Sequence, residues 1–420
     1  MVIMTQTGST NRKLSILFLF FIGILVATLF LSVIFTFKSS DSIISLSRSQ
    51  SIDKCSCDTN NPPRFDLESV STFYDDHSFG YTFDKPVKNW DKKRLRWLKL
   101  HPSFSRSNKQ IFLVTGSQSK PCKNPKGDHY LLRFYKNKVD YCRIHGYDIF
   151  YNNVLLEPKM SHCWAKLPAV RAAMVAHPEA EWIWWIDEDA VFTDIDYKVP
   201  LERYKDQNFI VHGWPREVYE EKNWLGINAG SFLIRNCQWS LDFLEKWADM
   251  GPQSKNREKW SKLLSETFNH EADDQTALAY LLLKDKEENE SNKTYIEMEY
   301  YLEGYWAVIA DTLKNITNRY NKIEKENKML KRRHAELVTE RYAELWEPYL
   351  KDAGSWRRPF VTHFAGCQPC SGHHNPSFSM LTCWKAMEKV LNYADNQVLR
   401  NYGFKHPDLS DSSQVSSLPF

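Results

Sequence analysis

The chain has 420 residues, 14% of them aromatic, and a formal net charge of +3. That length suits one membrane anchor plus one large domain, or two fused half-domains. The near-balanced charge points to no polyelectrolyte partner such as a nucleic acid.

The first clear element is an uncharged apolar run from Leu14 to Phe37. About 20 apolar residues cross a bilayer as a helix, and a cleaved signal peptide has a shorter apolar core with a small-residue cleavage site. A membrane anchor over 14–37 is therefore expected. Arg12 and Lys13 precede it and Lys38 follows; the positive-inside rule puts residues 1–13 in the cytosol and the rest in a lumen. Three acceptor triplets for N-glycosylation, at Asn289, Asn292 and Asn315, fit a luminal chain. Nine Cys fit an oxidising compartment, though spacing alone does not give their connectivity. Residues 38–108 are rich in Ser, Asp, Asn and Pro and lack apolar periodicity. They read as a luminal stem, with a disulfide expected for Cys55 or Cys57.

A folded domain is expected over 109–405, with a C-terminal tail at 406–420. Ile111 to Thr115 reads as a buried strand ending at Gly116-Ser117, followed by a helix from Tyr130 to His145. A second strand follows at Tyr147 to Tyr151, a second helix at Trp164 to His177, and a third strand at Trp182 to Ile186. This alternation predicts an α/β domain with a parallel, Rossmann-like sheet. Ligands in such sheets lie beyond the carboxyl ends of the strands. The Trp residues at 182, 184 and 185 are expected to fill the two faces of the sheet rather than to stack on sugar.

The residues after the third strand are Asp187-Glu188-Asp189. Residues i and i+2 of an extended chain share a side, so two carboxylates can face one hard cation. A nucleotide-sugar diphosphate needs such a cation between protein carboxylates and phosphate oxygens; the alternative is a solvated acidic turn. Further on, Leu225 to Ile234 reads as a loop entering a buried strand, with Gly230 allowing close approach or a bend. Asp273, Asp274 and Gln275 precede an apolar helix; one carboxylate is explained by N-capping, and two exceed that need. From Asn315 to Trp346 interleaved charges with apolar residues at helical spacing predict one or two surface helices, not a nucleic-acid arm. Phe360 to Phe364 reads as a last strand, with His363 able to complete a metal site. Cys367 and Cys370 have zinc-like spacing without a second pair, so a disulfide or a turn is expected, with Cys383 a nearby candidate partner.

Taken in order, Val114-Thr-Gly-Ser117, Trp164-Ala-Lys166-Leu-Pro168, Trp184 to Ala190, Asn228-Ala-Gly230, Asp273-Asp274-Gln275 and His363 to Cys370 resemble glycosyltransferase family 34. That family holds plant galactomannan α-1,6-galactosyltransferases and xyloglucan α-1,6-xylosyltransferases. The resemblance implies a GT-A fold behind a type II Golgi membrane anchor, retention of anomeric configuration, and Mn²⁺ dependence. It implies Asp187, Asp189 and His363 as metal ligands, and Gly116, Ser117, Lys166, Asp187, Glu188, Gly366 and Gln368 as donor-binding positions. It implies Asp273, Asp274 and Gln275 as catalytic residues near the transferred sugar.

Xyloglucan xylosyltransferases typically carry Lys where this chain has Gln368, and the galactosyltransferase branch resembles this chain there and at Asn228-Ala-Gly230. UDP-galactose is thus the expected donor, with a β-1,4-mannan or glucomannan of the plant wall as the polysaccharide acceptor. Transfer of xylose from UDP-xylose is the alternative, and a non-catalytic scaffold in a Golgi synthase complex the second. Assembly with itself or with other wall-polysaccharide synthases stays open.

Overall fold

The computed structural model describes residues 72–77, 79–105, 110–287, 292–330, 336 and 339–418. The expected span at 14–37, most of the expected stem including Cys55 and Cys57, and the sequon at Asn289 lie outside these residues. Among the described residues no helix is long and apolar enough to cross a membrane.

In chain order the elements are α1 (Trp90–Leu100), β1 (Ile111–Gly116), α2 (Pro125–His145), β2 (Asp148–Asn152), α3 (Lys166–Ala176), β3 (Trp182–Ile186), β4 (Ala190–Phe192), β5 (Phe209–Gly213) and β6 (Ile227–Arg235). They continue with α4 (Gln238–Asp249), α5 (Arg257–Phe268), α6 (Asp274–Glu287), β7 (Thr294–Glu297), β8 (Gly304–Tyr305), α7 (Leu313–Glu326), α8 (Thr339–Leu350), β9 (Val361–His363), α9 (Met380–Leu399), β10 (Phe404–Lys405) and β11 (Ser416–Ser417). Local signals fix several ends. α2 starts with Pro125 after Asn124, whose side chain accepts from the Gly127 amide, and stops at Gly146 in the left-handed region. That is the usual asymmetry of Pro at the start and Gly past the end.

The main sheet has the order β2-β1-β3-β6-β5-β7. β1 runs parallel to β2 and β3, as the alternation of strands and helices predicts. β6 corrects that expectation: it lies antiparallel to both β3 and β5. No long crossover helix is available there, because the chain returns from β5 to β6 through two short helical segments, Pro215–Tyr219 and Trp224–Gly226, and so short a return makes an antiparallel pair. The architecture is mixed α/β. Both faces of the sheet are covered. Ile183 and Trp185 enter one core with Phe232 and Trp247, while Trp182, Trp184 and Ile186 enter the other with Tyr141 and Phe192. The tryptophans of β3 thus serve packing, as expected. A second, three-stranded sheet, β4-β9-β8, stands beside the first.

Two boundaries differ from expectation. From Thr72 the stretch read as stem is folded, and Val70–Phe420 forms one compact unit. Phe73, Val87, Trp90 and Trp97 are buried in the main core. The Trp90 indole donates to Asn236 at 2.7 Å, and the buried Arg171 donates to the carbonyls of Gly80 and Lys85. Few, widely spaced apolar anchors among polar residues gave no periodicity to read. At the other end the expected tail folds back: β10 pairs with β11, and His406 is buried against Asp395. The charged region from Asn315 forms two helices with solvated faces, α7 and α8, as expected. Their apolar faces, with Ile316, Tyr320 and Trp346, join a further core with Phe364, Met387 and Val390, while Leu345 is exposed.

Trp90→Ala should lower stability by about 3–5 kcal/mol, the usual cost of emptying a large buried aromatic site. A shortened chain beginning at Gln110 should have a much lower unfolding midpoint than one beginning at Val70. Equal midpoints in thermal unfolding would show that this segment is only a tether.

Candidate active site

The site lies in the gap between the two sheets, at the carboxyl end of β3. After Ile186 the chain leaves the large sheet as Asp187, turns through Glu188 and Asp189, and enters the small sheet as β4. Lys138 on α2 holds this turn from beneath, donating to the carbonyls of Glu188 at 2.7 Å and Ala190 at 2.8 Å. β4 pairs with β9 in a register that sets Ala190 opposite His363. That register brings the His363 Nε2 within 3.2 Å of an Asp189 oxygen and 3.8 Å of an Asp187 oxygen. One ligand atom from each of Asp187, Asp189 and His363 lies within 4.8 Å of the others, so the structure gathers all three predicted ligands.

Gly230 is what lets this happen. It lies on β6 beside β3, and its carbonyl accepts from the Asp187 amide at 2.7 Å. A Cβ there would lie 2.4 Å from the His363 Cε1 and 2.7 Å from the Asn228 side-chain oxygen. The alternatives of ligand approach and bend are thus replaced by a third reason: space for the imidazole.

The donor set fits a cation such as Mn²⁺. Two carboxylates and an imidazole are ligands of suitable hardness. The His363 Nδ1 is 3.0 Å from a Glu303 oxygen, and both groups are buried. A neutral ring donating from Nδ1 to Glu303 would turn its Nε2 lone pair toward a cation held between the two carboxylates. Burial lowers the proton affinity of His363, but Asp189 and Glu303 overcome this and raise its pKa well above the ordinary value. Burial likewise raises Asp187 against the opposing pull of Lys166 and His363. For Asp189 the pull of His363 outweighs burial, and its pKa is lowered.

Lys166 opens α3, and its buried ammonium lies 2.9 Å from an Asp274 oxygen, 3.4 Å from an Asp187 oxygen and 3.0 Å from the Ala229 carbonyl. Burial would discharge it; Asp187 and Asp274 outweigh burial and hold it protonated. The predicted catalytic segment divides its labour. Asp273 caps α6, accepting from the Thr276 amide at 2.7 Å. Asp274 is buried and paired with Lys166. Gln275 accepts from the Ala229 amide at 3.1 Å and donates to the Trp224 carbonyl at 3.1 Å, tying α6 to β6.

The donor-side positions are spread more widely. Gly116 ends β1, where a Cβ would lie 2.1 Å from the Asn152 carbonyl oxygen. The Ser117 hydroxyl is 2.8 Å from that of Tyr151. Glu188 lies outside the three-ligand cluster; it is buried, and burial pushes its pKa up to about 7. Gly366 and Gln368 follow β9 in a turn tied by two disulfides, Cys122–Cys370 and Cys367–Cys383. Gln368 is exposed there, and its side chain accepts from Ser371 at 2.8 Å. The disulfide expectation for this turn holds, with Cys383 as one partner. The sequon residues Asn292 and Asn315 are both exposed.

Sequence reasoning missed Lys138, Glu303 and Tyr151. Lys138 had a signal: it interrupts the buried stripe Tyr130, Phe134 and Tyr141 of α2, and a charge on an apolar face calls for a partner. Glu303 had none, since it lies in the loop just before the two-residue β8.

Gly230→Ala should weaken Mn²⁺ binding by roughly 10–100-fold, the range seen when the support of a metal ligand is disturbed. Glu303→Ala should act in the same direction. Calorimetric titration with unchanged affinity in both would separate His363 from metal binding. Lys166→Met leaves Asp274 buried and unpaired, and should cost about 3–5 kcal/mol in denaturant unfolding.

Residues 107–374 match the model of the galactosyl transferase GMA12/MNN10 family. Over 355 residues the chain is 57% identical to "Galactomannan galactosyltransferase 1" of Cyamopsis tetragonoloba, covering 83% of this chain and 81% of that one. Over 359 residues it is 43% identical to "Probable xyloglucan 6-xylosyltransferase 3" of Arabidopsis thaliana, covering 84% and 70%. Among solved structures, a glycosyltransferase involved in the glycosylation of the major capsid of PBCV-1 aligns with 66% of this chain and 98% of its own, at 14% identity and a TM-score of 0.37, too slight a likeness to bear on function. The chain therefore belongs to the galactosyl transferase GMA12/MNN10 family, glycosyltransferase family 34, and is a hexosyltransferase.

Proposed function

We propose that this enzyme transfers galactose from UDP-galactose to O6 of backbone sugars in a β-1,4-mannan or glucomannan, with retention of configuration, in a GT-A-like domain. The observation that carries the chemistry is the convergence of Asp187, Asp189 and His363 beside the Lys166–Asp274 pair. What supports galactose and mannan is the 57% identity to a relative named for galactomannan.

Asp187, Asp189 and His363 would hold Mn²⁺, which when bound supplies positive charge to the diphosphate and eases departure of UDP. Gly116 and Ser117 end β1 on the side where a nucleotide enters such a sheet. Gln275 fixes the Asn228–Gly230 backbone, so the groups flanking the sugar need no reorganisation during reaction. Asp274 lies beside the sugar as a carboxylate paired with Lys166, suited to stabilise positive charge building on the ring. Asp273 is committed to its helix cap. The acceptor hydroxyl attacks from the face that UDP leaves, and its proton passes to the departing phosphate, so no protein base is required. Attack by the Asp274 carboxylate, giving a double displacement, is the second route.

Gln368 bears on the donor. Lys at this position would bring a cation toward the phosphates; here an uncharged side chain bonded to Ser371 leaves that task to the metal and Lys166. The xylose reading keeps the same metal chemistry and is favoured only by the 43% relative. We further place residues 14–37 in the Golgi membrane as a type II anchor, with the catalytic unit in the lumen, on the apolar run and its flanking charges.

The test is a comparison of UDP-galactose and UDP-xylose on manno- and cello-oligosaccharides. Galactose transfer to manno-oligosaccharides should be the fastest reaction, and Asp189→Ala should reduce it by at least about 10³-fold, the scale of losing transition-state charge stabilisation. Faster xylose transfer to cello-oligosaccharides would replace galactose with the alternative.

A further inference from the structure

Beyond the metal site, just after β5 and in the loop before β8, two large aromatic side chains are left in solvent. Trp214 is 49% exposed and Tyr301 46% exposed. Between them lies His212, only 3% exposed, with its ring centroid 5.3 Å from that of Trp214 and 6.0 Å from that of Tyr301. Burial lowers its pKa against the opposing pull of the Glu303 carboxylate and the Glu297 backbone. The imidazole is thus a buried base on which both exposed rings pack.

The cluster is continuous with the catalytic centre. Tyr301 precedes by two residues Glu303, which holds His363. Tyr305 pairs in register with His363 itself. The Trp214 amide donates to the Gly226 carbonyl at 2.7 Å, which anchors it to the strand that continues to Gly230. The rings are therefore carried on the backbone that positions the metal ligands.

We propose that Trp214 and Tyr301, with His212 between them, form the acceptor subsite and bind the pyranose rings of a β-1,4-linked hexose chain next to the sugar being modified. The inference rests on the polysaccharide acceptor of the proposed function and adds where that chain lies. A pyranose presents C–H groups on its faces and hydroxyls around its rim. The faces suit the electron-rich faces of Trp and Tyr. Two half-exposed rings packed on one buried imidazole match a ligand that repeats its apolar face. A half-exposed aromatic pair of this kind is a binding feature rather than a core one.

The experiment uses the detergent-solubilised full-length protein, with mannotriose, mannohexaose and cellohexaose as acceptors and UDP binding with Mn²⁺ measured alongside. Trp214→Ala and Tyr301→Ala should each raise the KM for mannohexaose by about tenfold, as expected for loss of one aromatic contact. Their UDP binding should stay unchanged, which reports an intact fold and donor site. Trp214→Phe should restore most of the affinity, and the wild type should bind mannohexaose better than mannotriose. Leu132→Ala, an exposed apolar change on α2, should alter nothing. Transfer that continues with wild-type acceptor KM in both alanine variants overturns the subsite and leaves the proposed function standing. A wild-type protein that binds UDP but neither binds nor modifies any of the three oligosaccharides overturns the acceptor reading, and the subsite with it.

Discussion

The buried ammonium of Lys166 is the interaction on which the centre depends. Asp187, Asp189, Asp274 and Glu303 converge where two sheets meet. Carboxylates brought together out of bulk water repel one another and lose hydration, a cost of several kcal/mol unless cations and hydrogen bonds answer them. Lys166 answers Asp187 and Asp274; His363 answers Asp189 and Glu303. The lysine also bonds the Ala229 carbonyl, whose amide is held by Gln275, the neighbour of Asp274. The contacts close a circuit through α3, β6 and α6. No element of the circuit can move without leaving a charge or a backbone group unsatisfied.

Register is the second constraint. Side chains alternate along a strand, so a slip of one residue between β4 and β9 would turn His363 away from Asp189. The pairing of Ala190 with His363 is reinforced by the Phe364 amide, which donates to the Asp189 carbonyl at 3.0 Å, and by the hydroxyls of Thr193 and Thr362, 2.7 Å apart. A small sheet is thus enough to hold one ligand, because its register is fixed by side chains as well as by backbone.

Much of this was legible in sequence because it is local. β1, β3 and their helices announce themselves by apolar runs ended by Gly or Pro, and the acidic triplet follows directly from the strand rule. The role of Asp273 was legible as a cap. What could not be read is long-range. The reversal of β6 depends on a return whose direction no local pattern encodes. The folding of Thr72 onward depends on Trp90 meeting Asn236, 146 residues away. Gly230 was visible as a glycine, but its reason is a histidine more than a hundred residues later. Glu303 lies in a loop before a strand too short to carry any period, so its partnership with His363 appears only in three dimensions.

The bond between Cys122 and Cys370 joins residues 248 apart in sequence. It turns most of the catalytic unit into a covalent ring, from before α2 to just after His363. β1 precedes Cys122 and so lies outside that ring, yet it occupies the position between β2 and β3, both of which lie inside. The structure is therefore a ring closed around a strand that comes from outside it. In the chain-entropy picture so long a ring removes on the order of 5 kcal/mol of freedom from the unfolded chain. None of that restraint acts directly on β1, which is held by its hydrogen bonds, its buried side chains and the packing of the segment from Thr72 that leads into it. With the ring closed, β1 and that segment can still leave the sheet together, and Gly116 and Ser117 would leave with them.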